Sequence, residues 1–169
     1  MTKLFCQDTV MLRYINEYRA FNGKNQCIFT QKLNNIAKTH ALLMVSKDSL
    51  FHSHLTNEVI ARNKSLPSSA IEKQEFITFI KTVFKVDYSE PIKNSEVISY
   101  VKLYVIFMYD RSQKHKTILL NDYTNIGCYL DIQNIKFVYN TFVVMGKTIE
   151  HKNMISHYDV TFYSVINLE

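Results

Sequence analysis

Near Asn125 the spacing of apolar residues changes, and that change limits what this chain can fold into. Before it, apolar side chains recur at helical intervals: Met11, Leu12, Ile15 and Tyr18; then Leu33, Ile36, Ala37, Ala41 and Met44, with His40 on the same stripe; then Ile71, Phe76, Ile77, Phe79 and Ile80. This is the period of amphipathic helices. After it, "IGCYLDI" and "IKFVYNTFVVMG" read as two strands of a hairpin turning at "QN", and "ISHYDVTFYSVI" as one more strand. Helices first and strands later, with no internal repeat, predict an α+β or layered αβα class.

Punctuation residues set the expected boundaries. Asp8 or Thr9 is suited to cap the first helix, which ends before Gly23; Thr30 opens the second. Ser69 and Glu72 have the spacing of a capping box for a third helix, which ends around "VDYSEP" before Pro91. The stretch "SEVISYVKLYVIFMYDRSQKH" from Ser95 is the ambiguous one, because its β-branched and aromatic residues also suit a strand. Its length predicts a helix, since unbroken strands that long are uncommon.

Composition narrows the class. A chain of 169 residues, 47% apolar, with three glycines and two prolines, is expected to form one domain, residues 1–169, and lies far from the composition of disorder. The net charge of +5 is spread over scattered lysines, so no nucleic-acid partner is expected. Cys6, Cys27 and Cys128 are odd in number and have no Cys-x-x-Cys spacing, which fits neither a zinc framework nor a disulfide scaffold. One disulfide with a free thiol and three reduced thiols both stay open. The apolar run Leu103 to Tyr109 is far shorter than the ~20 residues a membrane span needs. No basic stretch followed by an apolar one opens the chain, so an export signal or lipid-anchor site is expected upstream of Met1.

Five segments, in order, carry a more specific signal. They are "YINEYRAFNG", "KLNNIAKTHALLM", "LFHSH", "NEVIA" and "YDRSQKHKTILLNDYTNIGCYL". Together they resemble the cysteine-rich secretory, antigen 5 and pathogenesis-related proteins, the CAP or SCP domain family, and within it the short bacterial branch. The resemblance covers about residues 9–146, and residues 147–169 read as a C-terminal extension, an added strand. Asn57 stands where the family has glycine before the glutamate, and Tyr109 where it has tryptophan. The resemblance implies a three-layer αβα sandwich with a central antiparallel sheet. It also implies an exported protein, secreted or held at the bacterial surface as an outer surface lipoprotein.

Carried over residue by residue, the family's cleft would hold His52, Glu58, Ser112 and His115. Two imidazoles and a carboxylate, His52, His115 and Glu58, meet the ligand requirement of an open zinc site, so zinc or another divalent metal is the cofactor to consider, although none is required. Ser112, His115 and Glu58 are the catalytic candidates of a serine mechanism, but no Gly-x-Ser-x-Gly elbow accompanies them. Ser112 and His115, three apart, would share one face of a helical turn. His54 would point with His52 if the segment were a strand, yet the resemblance assigns only His52. His40 reads as a packed, hydrogen-bonded histidine; His151 and His157 receive no role, and Tyr100, Tyr104 and Tyr109 are expected in the core. The expected function is a non-enzymatic, monomeric binding or interaction module with a host molecule, lipid or sterol as partner. A metal-dependent or serine hydrolase is the alternative.

Overall fold

A computed structural model describes residues 5–53, 57–63, 70–88, 94–144 and 147–169. The switch from helix to strand falls where the apolar period changes. Among the described residues five α-helices, α1 (Phe5–Phe21), α2 (Gln31–Ser46), α3 (Ala70–Phe84), α4 (Val97–Arg111) and α5 (Gln113–Leu119), precede the long strands β3 (Asn125–Val144) and β4 (Lys147–Leu168). Two short strands, β1 (Ile28–Phe29) and β2 (Glu58–Asn63), lie among the helices. The sheet order is β1-β3-β4-β2. β3, β4 and β2 are antiparallel, but β1 joins β3 in parallel, so the sheet is mixed where a purely antiparallel one was expected.

Side-chain alternation divides the core between the two faces of the sheet. Tyr163 and Val165 of β4 and Ile60 of β2 pack with Ala37, Ala41 and Met44 of α2 on one face. Ile126, Cys128, Phe162 and Ile166 meet α1, α3 and α4 on the other. The result is the expected three-layer αβα arrangement. Helix α2 approaches the sheet closely at Gly127, where an added Cβ would lie 2.1 Å from the backbone of Leu33 and Asn34. Only a residue without a side chain allows that contact.

The ambiguous segment is α4, and its composition reflects its place. Val97, Tyr100, Val101, Leu103, Tyr104, Val105, Ile106, Phe107 and Tyr109 are all buried, and so is Lys102 among them, so the helix is enclosed around most of its circumference by largely apolar side chains. Phe76 of α3 meets the rings of Tyr100 and Tyr104 edge-on at centroid distances of 4.9 and 5.2 Å. The tyrosines expected in the core are there. Tyr109 donates to Ser164 Oγ at 2.9 Å within it, Tyr104 bonds Glu72, and burial pushes both phenols above their ordinary range.

Several expected boundaries shift. Helix α1 begins at Phe5, so Asp8 and Thr9 lie inside it and do not cap it. It ends as anticipated: Gly23 takes φ +71°, with Lys24 N–H bonded to Arg19 O and Gly23 N–H to Ala20 O, the Schellman pattern. Ser69 lies outside the described residues. "QN" is no turn. β3 runs through it unbroken against β4, and the register shift between Ile132 and Asn134 makes Gln133 a β-bulge. Turn residues absorb an extra position in a ladder as readily as they reverse a chain. The strand expected near the C-terminus forms as β4, between β3 and β2.

Two side chains of α1 fasten the loops beneath the sheet. Asn16 makes a two-way bond with Cys27, donating to its carbonyl at 3.0 Å and accepting its N–H at 2.8 Å. Arg19, 1% exposed, donates to the carbonyls of Asn25, Leu119, Asn121 and Tyr123. Cys27 and Cys128 are both buried and no disulfide joins them; the side chain of Cys6 lies outside those described.

Candidate functional site

Glu58 organises the site. It opens β2, and its side chain faces α2, where burial of an ionised carboxylate demands donors. Three are supplied. Ser53 gives both its backbone N–H, to Oε2 at 2.8 Å, and its hydroxyl, to Oε1 at 2.8 Å. His40 Nδ1 lies 2.6 Å from Oε1. Glu58 is 1% exposed and His40 6%, so this is a buried pair inside the α2 layer. His52, an exposed residue of the irregular segment 51–53, brings Nδ1 to 3.4 Å from Oε2. A single carboxylate thus pins segment 51–53 to the helix and gathers two histidines.

His115 approaches from α5. Its ring meets that of Tyr109 edge-on at 5.5 Å. Burial holds its pKa below the usual histidine value, and the neighbouring His52 and Lys114 lower it further. The effect of His52 on His115 places the two in one neighbourhood, as does the contact of α5 with β2. Ser112 is the hinge between α4 and α5, with extended backbone (φ −94°, ψ 107°), and so is not on a continuous helical turn with His115. Its carbonyl accepts Lys116 N–H at 2.8 Å, and its side chain makes no capping bond.

The four carried-over residues therefore play unequal parts. Glu58, His52 and His115 converge on the edge of the sheet near β2, while Ser112 marks a helix junction. The His52-x-His54 pairing has no strand to align it, because residues 51–53 are irregular and His54 lies outside the described residues. His40 is the packed, hydrogen-bonded residue anticipated, and its partner is Glu58. The role of Ser53 was not legible. Nothing local marks it, and only the need of a buried carboxylate for donors could have pointed to one nearby.

Ser53 donates to both Glu58 oxygens and His40 lies against one of them, so the carboxylate orients the imidazoles around it. Among the described residues, no three His, Cys, Asp or Glu side chains gather as a metal group.

Beside the dyad lies an open groove of about 660 Å³, between one face of α2 and segment 51–53. Ile36, Leu43 and Phe51 give it apolar walls; Asn35, Thr39 and Ser53 line it as well, with the rings of His40 and His52. Its volume is that of ligand sites, which run to ~300–1,000 Å³.

Comparison with known proteins gives three findings. The model of the cysteine-rich secretory protein family, CAP, matches residues 12–145. No curated protein matches the chain significantly. Among solved structures, an outer surface protein from Borrelia burgdorferi is similar at a TM-score of 0.44 and 15% identity, over 95% of this chain and 90% of that one. The family match takes in α2, segment 51–53, β2 and the α4–α5 region, which carry the site, and all of β3. With its αβα layering and its Glu58-centred cleft, the chain belongs to the cysteine-rich secretory protein family.

Proposed function

We propose that this is an exported CAP-domain protein, displayed on or released from a bacterial surface, that acts as a non-enzymatic binding or interaction module toward a host molecule. The observation that carries the reading is an open groove with apolar walls beside Glu58, a carboxylate that Ser53 and His40 hold in a hydrogen-bonded, segment-pinning role. Family membership supports export, since the family is one of secretory proteins.

The alternative is a hydrolase, favoured by the convergence of His52 and His115 on one edge of the sheet. Two measurements separate it from binding. In a calorimetric titration the wild type is expected to take up no zinc at micromolar concentration; uptake that disappears in His115→Ala would replace the binding reading with a metal-dependent one. A fluorophosphonate probe is expected to leave Ser112 unlabelled, and labelling lost in Ser112→Ala would establish the serine mechanism. Export is tested by the residues encoded upstream of Met1. A leader ending in a lipobox cysteine is expected for an anchored protein and a plain leader for a secreted one; with neither, export is wrong.

A further inference from the structure

Helix α2 has two unlike faces. Leu33, Ala37, Ala41 and Met44 lie buried on its inner side, while Leu42 and Leu43, on the outer side, are 44% and 42% exposed. Leu50, just past the end of the helix, is 48% exposed. Six large apolar side chains stand exposed among the described residues, and three of them are gathered at this one end of α2. A lone exposed leucine needs no explanation, but a cluster calls for a partner.

Charge identifies that partner. Residues 31–47 include Lys32, Lys38 and Lys47 and no aspartate or glutamate. Lys24, Lys81 and Lys116 each pair with an aspartate, whereas among the described residues no carboxylate pairs with the three lysines of this segment. Asp48, the next residue, is bonded to Arg62 and Tyr163. At about 100° per residue, Lys38 and Lys47 fall on opposite flanks of the outer face, with Leu42 and Leu43 between them. Each keeps its ammonium beside a ring at the helix margin, Lys38 Nζ 5.9 Å from the centre of Tyr129 and Lys47 Nζ 5.2 Å from that of Phe51. A second copy of this chain would set lysine against lysine. What fits is an apolar layer one leucine deep, with anions on both sides of the helix at once, and the headgroup region of an anionic bilayer has that form.

We propose that the outer face of α2 and the adjoining Leu50 dock on an anionic phospholipid surface, Leu42, Leu43 and Leu50 entering the boundary of the acyl chains and Lys32, Lys38 and Lys47 pairing with headgroup phosphates. This contact goes beyond the binding-module reading and does not depend on it. Vesicle co-sedimentation of the full chain tests it. At low salt the protein should sediment with vesicles of phosphatidylcholine containing about one third phosphatidylglycerol, stay in solution with pure phosphatidylcholine, and be released by about 0.5 M sodium chloride, which screens the lysines. Lys38→Gln with Lys47→Gln should weaken binding about 30-fold, from about fivefold per lysine. Leu42→Asp with Leu43→Asp should abolish it in a chain whose amide spectrum stays folded; the lysine variant, which alters no buried side chain, decides the matter if the leucine variant does not fold.

Absence of sedimentation with the anionic vesicles would overturn the proposal, as would equal sedimentation with the neutral ones or undiminished binding in the lysine variant. So would soluble poly-glutamate shifting the amides of α2 where the vesicles do not bind, which would make this a face for an acidic protein. Any of these leaves the binding-module reading standing, which falls only to the zinc or fluorophosphonate result.

Discussion

Arg19 and Glu58 are both buried charges, each 1% exposed, and they are held in opposite ways. Among the described residues no carboxylate pairs with Arg19; its guanidinium is spent on four main-chain carbonyls in two loops. Glu58 is bonded to the side chains of His40 and Ser53 and to one backbone N–H, at the margin of an open groove. Main-chain partners cannot be substituted away and have no other conformation to offer, so Arg19 belongs to the framework. Side-chain partners can rearrange, and both of them line the open groove. The contrast separates a charge that builds the fold from one that equips a surface.

Removing the framework charge should have the larger effect. Arg19→Met keeps the apolar stem but strands four buried carbonyls, and is expected to cost about 3–5 kcal/mol, with a fall in Tm of about 10 °C. Urea and thermal unfolding measure it. Arg19→Lys should recover only part, because an ammonium cannot span the fork of acceptors; full recovery would mean that charge alone suffices.

Glu58→Gln is expected to cost less, about 1–3 kcal/mol, because an amide keeps the shape but must turn donors toward Ser53 or His40. Its signature is local. Hydrogen exchange at the Ser53 amide should accelerate while α1 amides stay protected, and a uniform loss of protection would erase the distinction between the two charges.

The smallest effect concerns His115. Its pKa is depressed in the folded protein, so the unfolded chain binds the proton more readily. The stability it contributes is complete above the ordinary value of 6.5 and is lost as pH falls from there through the lower folded value. Stability between pH 7 and 5 should therefore decline less steeply in His115→Gln. In His52→Ala, the His115 titration followed by NMR should move back toward 6.5, with unfolding free energy changed by less than about 0.5 kcal/mol. An unmoved titration would separate the two histidines.

Much of this architecture is legible in the residues. Helical spacing places Ala37, Ala41 and Met44 on the inner face of α2, and an all-round apolar segment from Val97 becomes the buried helix α4. What escapes reading depends on long-range pairing. Gln133 and Asn134 favour a turn locally, but β4 offers β3 a continuous ladder, and the ladder prevails. The site divides in the same way. Motif order points to His52, Glu58 and His115, whereas the His40–Glu58 bond and the part played by Ser53 follow only once α2 lies over the start of β2.

The position of β4 also governs the order in which the molecule can assemble. Among the described residues β2 pairs with β4 alone, Glu58 opposite Asn167, so a strand made early in synthesis waits for one made late. Contacts of such separation slow folding and leave an edge exposed meanwhile. Until residues 162–168 exist, the carboxylate that pins segment 51–53 lies on a strand with no neighbour in the sheet. A chain that cannot close its sheet before then stays open to translocation for as long as it is being made.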